Sequence, residues 1–492
     1  MAPIRPPHVA IIGSGFAGIA VAAELRRAGY TSFTIYERAA RVGGVWRDNT
    51  YPGAACDVPS HLYSFSHARE PRWRFRFARQ PEILRYLRRC VEHYGLTDHL
   101  RLSTAIVAAH YDEQQCRWRL RTESGEQVQA DVLVPAVGQL SEPLVPDLPG
   151  REEFAGRAFH SARWDHGCEL AGKNVAVVGT GASAIQFVPE IAERAAKLTV
   201  FQRSAPHVVP RPDRPYRPRH EFAFRRVPGA QLLGRLGVWL FFEFAGRGMT
   251  TAQPIGRAFT AVARRHRAAQ LAEAETAEGM TPDHAIGCKR VLFSSDYYPA
   301  FNRPGVRLER ESIERVTPSG IRTADGIEHD ADVLIFGTGF DAQHFLSSIT
   351  VRGKGNRLLS EEWGDGARAY LGLSVPQFPN MFLMYGPNTN LGSGSIVHML
   401  ESQARYVVRA VREIVRRSGA ALEVRAEAAE EFDREIQERL QHSVWTTCSS
   451  WYRGADGRIS TNWPGSMAEY RRRTRRVALD DYRVLSPGAV QS

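Results

Sequence analysis

Val9-Ala10-Ile11-Ile12-Gly13-Ser14-Gly15-Phe16-Ala17-Gly18 is an apolar run that breaks into three spaced glycines. It reads as a buried strand, a tight turn and the opening of a helix. The first glycine permits the turn, and the second lets backbone approach a pyrophosphate. The helix N-terminus adds free N–H groups and the positive end of a dipole. The design returns at Val175-Ala176-Val177-Val178-Gly179-Thr180-Gly181-Ala182-Ser183-Ala184, with alanine at the last position, which the fingerprint tolerates. The chain is therefore predicted to be α/β, with two Rossmann-like dinucleotide-binding domains.

Each turn has a reader 24 positions beyond its first glycine. Glu37 closes the strand-like Phe33-Thr34-Ile35-Tyr36, and Arg203 closes Leu198-Thr199-Val200-Phe201-Gln202. A carboxylate there accepts hydrogen bonds from ribose hydroxyls, whereas an arginine suits a 2′-phosphate. The first site, with Gly13, Gly15, Gly18 and Glu37, is expected to hold a hydroxyl-bearing dinucleotide such as FAD. The second, with Gly179, Gly181, Ser183 and Arg203, is expected to hold NADPH. Two such cofactors on one chain imply electron transfer between them.

A chain of 492 residues exceeds what one core organises. Its 43% hydrophobic and 24% charged content suits a soluble globular protein. The net charge of +11 exceeds what two polyanionic cofactors require and suits an acidic substrate or partner as well. Only Arg471-Arg472-Arg473-Thr474-Arg475-Arg476 is densely basic, and it reads as a solvated helix face, so nucleic acid is not an expected partner. Cys56, Cys90, Cys116, Cys168, Cys288 and Cys448 form no C-x-x-C pair or other metal spacing, so no metal site is predicted. No CxxxxC follows the first turn, which argues against a dithiol reductase. The cysteine scatter suits a reducing cytoplasm. Met1 to Pro7 leave no room for a signal peptide.

Asp131-Val132-Leu133-Val134-Pro135-Ala136-Val137-Gly138 reads as a late buried strand of the first unit, followed by a linker at Pro143–Gly150. The segment from Asp332 to Phe340 repeats that strand-then-glycine pattern and is expected to return the chain to the first unit. The resulting division assigns 1–145 and 331–492 to FAD, 151–218 and 285–330 to NADPH, and 219–284 to a helical insertion. Within the insertion, Leu232 to Ala245 is the most lipid-like stretch. Arg235 and Glu243 interrupt it, so it is too short and too charged to span a bilayer, and no stable membrane insertion is expected. It reads as a helix covering a substrate cavity, with a membrane-surface contact as the alternative.

Phe154-Ala155-Gly156-Arg157-Ala158-Phe159-His160-Ser161-Ala162-Arg163-Trp164-Asp165 fits FxGxxxHxxxW[P/D] at every fixed position. Gly43-Gly44-Val45-Trp46, Tyr51-Pro52-Gly53 and Asp57 fit a second pattern, [A/G]GxWxxxx[F/Y]P[G/M]xxxD. On these motifs the sequence resembles the type I Baeyer–Villiger monooxygenases, class B flavoprotein monooxygenases. The resemblance runs from Val9 to about Tyr482 and includes Gly386-Pro387-Asn388 and Ser450-Trp451-Tyr452.

The resemblance implies an FAD-containing, NADPH- and O₂-dependent monooxygenase that inserts one oxygen atom into a ketone, giving an ester or lactone through a C4a-peroxyflavin. It implies that Arg290 reaches the flavin face as the catalytic cation, that Asp57 orients it, and that Lys289 assists the 2′-phosphate. Asp296-Tyr297-Tyr298 follows the Lys-Arg pair as in similar enzymes. Trp46 belongs to the implied cofactor set. Trp451 reads either as an NADP⁺ contact or as core. His160 reads as a linker residue that coordinates domain movement, not as a proton carrier. Val137 departs from the family, which usually has threonine there. Two rivals stand beside this reading: a flavin-dependent N- or S-oxygenating monooxygenase, and a non-catalytic dinucleotide sensor.

Overall fold

The structure, a computed structural model, describes residues 6–250, 253–364, 366–454 and 456–486. Residues 1–5, on which the signal-peptide expectation rests, lie outside the described residues, as do 487–492. The first sheet is parallel, in the order Leu100–Arg101, Phe33–Tyr36, Val9–Ile12, Val132–Pro135. Late backbone extends it: Phe382 N–H donates to Leu133 O at 2.9 Å and Met384 N–H to Pro135 O at 2.8 Å. The helix Phe16–Arg27 is buried through its first ten residues and packs against the helix Ile396–Arg416. Gly18 lets the helix start close against the preceding turn, because a Cβ there would come within 1.9 Å of Gly13 O.

The second sheet is also parallel, in the order Val306–Glu309, Lys197–Phe201, Asn174–Val178, Val333–Phe336, Arg157–His160. This corrects the expected return at 332–340. Val333–Phe336 lies between Asn174–Val178 and Arg157–His160, so it belongs to the second unit. The physical reason is that a buried parallel strand is apolar on both faces. Val132–Pro135 and Val333–Phe336 are each buried throughout, so their composition marks them as central without saying in which sheet. They are equivalent members of their own units. A Cβ on Gly13 would meet Ala136 O at 2.7 Å, and one on Gly179 would meet Gly337 O at 2.6 Å. Each glycine-rich turn thus rests on the end of its own late strand.

Helices fill the interval between the short paired strands Val208–Val209 and Leu292–Phe293. They span Pro218–Arg226, Ala230–Thr250, Gln253–Gln270 and Ala274–Gly279. In the basic run, Arg471, Arg472, Arg475 and Arg476 are exposed, while Arg473 pairs with Glu435 and Glu469. The cysteine pattern hid one pairing: Cys288 and Cys448, 160 residues apart, form a disulfide with a Cα–Cα distance of 6.2 Å.

Candidate active site

The first turn is built tightly. Gly13 has φ +106°, a conformation that favours glycine. Gly44 faces Gly15 across the turn, and a Cβ on Gly44 would lie 3.0 Å from Gly15 Cα. Gly43 N–H donates to Ser14 O at 3.1 Å, so the Gly43–Trp46 motif closes over the turn. Glu37 is buried. One of its oxygens accepts Ser14 N–H at 3.0 Å and the Ser14 hydroxyl at 2.6 Å. The other accepts Ala39 N–H at 3.0 Å and pairs with Arg47 at 2.9 Å. Four donors thus engage the carboxylate, and one of them is a hydroxyl of the kind a ribose would offer in its place. Trp46 is held edge-on to Tyr63, and its Nε1–H donates to the Tyr63 hydroxyl at 3.1 Å.

The second turn repeats the geometry, with Gly179 at φ +107°. Gly181 is exposed and open: a Cβ there would find only Gly337 O, at 3.7 Å. Ser183 caps the helix Ala184–Ala192 by position and makes no side-chain cap bond. At the end of the adjacent strand, Arg203 is exposed and Lys289 Nζ donates to Ser204 Oγ at 2.8 Å. Burial draws the Lys289 ammonium below its ordinary pKa. Asp283 opposes that shift and the Arg203 charge adds to it. Two cations therefore stand near one another, an arrangement that a doubly charged anion would relieve. Ser204 is a partner that motif reading missed.

Between the units, Asp57 Oδ2 accepts Arg290 Nε at 2.9 Å and a terminal guanidinium nitrogen at 2.5 Å. Asp57 comes from the first unit and Arg290 from the second. The Asp57 charge holds Arg290 above its already high pKa, against the effect of burial. About 35% of the Arg290 side chain stays accessible, so the pair can still meet a ligand. Both residues line a cavity walled by Phe241, Phe242, Phe259 and Phe293. Tyr385 and Tyr452 add their hydroxyls to the surroundings of Arg290, and burial pushes Tyr452 up to about 12. Neither tyrosine was assigned a role from sequence, although Tyr452 closes the quoted Ser450-Trp451-Tyr452 and Tyr385 directly precedes Gly386-Pro387-Asn388.

A clamp holds the two units together at this point. Gln186 Oε1 accepts the Tyr51 hydroxyl at 3.0 Å and Ala55 N–H at 3.2 Å, and Gln186 Nε2 donates to Ala55 O at 3.0 Å. A Cβ on Gly53 would meet Gln186 O at 2.6 Å. The available signal was a lone polar residue within Ala184-Ile185-Gln186-Phe187-Val188.

His160 ends the outer strand of the second sheet. Its Nδ1 accepts Ala162 N–H at 3.1 Å, and its ring packs edge-on to Phe340. Burial lowers its pKa to about 4, with the Gly339 backbone opposing, so it is neutral near pH 7. Trp164 packs on Phe159 and Phe187. Trp451 is 39% exposed, which makes it a surface residue, not core. Among the described residues no group of three His, Cys, Asp or Glu side chains is arranged to hold a metal ion, and no helix is long and apolar enough to cross a membrane.

Comparison with known proteins extends the geometry. Residues 10–227 match the family described as pyridine nucleotide-disulphide oxidoreductase. The chain is 44% identical over 488 residues to a Baeyer-Villiger monooxygenase of Streptomyces coelicolor, covering 98% of this chain and 94% of that one. A Baeyer-Villiger monooxygenase of Pseudomonas aeruginosa is 43% identical, covering 98% and 92%. Among solved structures, OTEMO in complex with FAD and NADP superposes with a TM-score of 0.88 at 28% identity, covering 98% and 100%.

Proposed function

The chain belongs to the Baeyer–Villiger monooxygenases, and from that premise we propose which of its own residues carry the reaction. It is an NADPH- and O₂-dependent flavoprotein monooxygenase that converts a ketone to an ester or lactone. Its cofactors are FAD and NADPH. When bound, they supply the redox chemistry: NADPH provides the electrons, one atom of O₂ enters the product and the other leaves as water.

The residues present fit both groups. The facing glycines Gly15 and Gly44 leave the space that a Cβ would fill, and Glu37 already accepts a hydroxyl beside it. Gly13, Gly15, Gly18, Glu37 and Trp46 hold FAD in this reading. Gly179, Gly181 and Ser183 take the pyrophosphate of NADPH. Arg203 and Lys289 take its 2′-phosphate, and Trp451 contributes from the accessible late loop.

Arg290 holds a fixed positive charge beside the substrate carbonyl and the negative charge that develops during oxygen insertion. A guanidinium cannot lose its proton at working pH. One unit charge at about 4 Å and an effective dielectric of ~20 is worth roughly 4 kcal/mol. If realised in the transition state, that is about a thousandfold in rate. Asp57 offsets part of the charge but fixes the plane of the guanidinium through two hydrogen bonds to one oxygen. The aromatic walls exclude water and favour an apolar ketone.

The observation that carries the reading is the Asp57–Arg290 pair lining that cavity. Arg290→Ala should keep NADPH-driven flavin reduction and lose ester or lactone formation. Normal product formation by that variant would sink the assignment.

A further inference from the structure

The helix Ala230–Thr250 is apolar on both sides: it buries Phe242 and Ala245, with Val238 and Trp239 packed against the same core, and it also exposes an apolar stripe. Its buried face also carries polar groups: Arg235 donates to His61 O at 2.7 Å and Ser64 O at 2.8 Å and faces Glu401 at 3.7 Å. Gln231 donates to Glu70 O at 2.9 Å. Its outer face is apolar: Leu233 is 68% exposed, Leu240 53% and Phe244 58%. These positions, with Leu236, recur at three- and four-residue steps and form one stripe. Leu232 and Phe241 lie beside it, and Phe222 in the preceding helix and Val227 just after it are exposed as well. Soluble monomers rarely present a contiguous apolar surface of this kind without a partner.

Charge and position say what covers it. The helices Pro218–Arg226, Ala230–Thr250 and Gln253–Gln270 carry nine arginines against two glutamates, Glu221 and Glu243. Arg219, Arg225, Arg226, Arg247, Arg257, Arg264 and Arg265 are exposed. An apolar stripe with arginine flanks suits a helix lying in the plane of an anionic bilayer, its apolar side in the acyl boundary and its cations at the headgroups. The same helix also walls the cavity: Phe241 and Phe242 line the space that holds Asp57 and Arg290, and Phe241 is 51% exposed.

We propose that the helical insertion docks this enzyme on an anionic lipid surface, and that the ketone it oxidises is a lipophilic one drawn from that surface into the Arg290 cavity. The second half of the proposal rests on the functional reading above; the docking itself does not.

Flotation of the FAD-loaded enzyme with vesicles tests it. Phosphatidylglycerol vesicles should carry the protein upward at low salt, phosphatidylcholine vesicles should not, and high salt should release it. Leu233→Glu with Leu240→Glu should abolish flotation while leaving NADPH-driven flavin reduction unchanged, which also reports that the variant is folded. Arg225→Gln with Arg226→Gln, which leaves the apolar stripe intact, should weaken binding by about fivefold for each arginine removed. No flotation on anionic vesicles would overturn the proposal. So would a dimer in sedimentation that dissociates in the leucine variant while vesicles bind nothing, because a second copy would then cover the face. Flotation without oxygenation of any ketone would leave the docking surface standing and overturn the functional reading instead.

Discussion

Cys288 is bonded to Cys448, which ties the residue immediately before Lys289-Arg290 to the loop that carries Trp451 and Tyr452. The linkage joins a segment of the second unit to a late segment that packs with the first. Such a cross-link limits how far the two cations can move from that loop. It closes a long loop, and disulfides of this kind contribute about 2–4 kcal/mol. Cys288→Ser should lower the unfolding midpoint and raise the KM for NADPH. A peptide map without reductant should recover the 288–448 link. On the folded protein, thiol reagents should reach Cys168 first, because Cys56, Cys90 and Cys116 are buried.

Asp57 acts through Arg290, so its loss should damage oxygen insertion more than flavin reduction. Asp57→Ala should lower the rate of ester or lactone formation by about a hundredfold, the usual cost of a misplaced catalytic group. Arg290→Lys should fall short of rescue, because an ammonium cannot reproduce the two-point contact with one carboxylate oxygen. Product yield per NADPH consumed is the measurement. An unchanged yield in Asp57→Ala would show that Arg290 needs no orientation.

The second turn offers a clean test of cofactor choice. Gly181→Ala meets nothing closer than 3.7 Å in the protein, so the variant should fold and retain FAD. Any loss of NADPH affinity then reports a ligand approaching that Cβ. Lys289→Ala should raise the KM for NADPH by about tenfold to a hundredfold while leaving NADH little changed, as expected for a lost hydrogen bond to a charged group. Steady-state kinetics with both nucleotides decides it.

Acid should destabilise this fold through its buried histidines. Burial lowers His61, His160 and His398 to about 4 and His67 to about 3. A histidine whose folded pKa lies below its unfolded value, ordinarily near 6.5, takes up protons on unfolding between those two values. Their contribution is complete above about pH 6.5 and is lost as pH falls toward 4. The thermal midpoint should therefore drop by several degrees between pH 7 and pH 5. His160→Gln, which keeps a polar group but cannot charge, should flatten part of that slope. A midpoint independent of pH across that window would contradict the burial of these rings.

Much of the site was legible along the chain. Glu37 and Arg203 stand where the strand-turn-helix spacing puts them, and Asp57 meets Arg290 as the second motif implied. Tyr385, Ser204 and Gln186 were not legible, and Tyr452 was quoted without its place beside Arg290. Each acquires its place from a partner far away in sequence: Gln186 meets Ala55 from 131 positions away, and Ser204 meets Lys289 from 85. Nothing local in composition marks such a pairing.

What the sequence by itself determined is the pair of glycine turns and the positions of Glu37 and Arg203 beyond them. A strand, a glycine turn and a helix have fixed lengths, so local order along the chain dictates which side chain arrives at the end of the second strand. Only the tertiary structure decided which sheet receives Val333–Phe336, that Cys288 reaches Cys448, and that Arg235 points inward while Leu233 and Leu240 face out. Hydrophobicity ranks residues by their cost in water. It does not say which neighbour a buried strand will pair with, nor that a glutamate such as Glu401 will be waiting inside to receive a guanidinium.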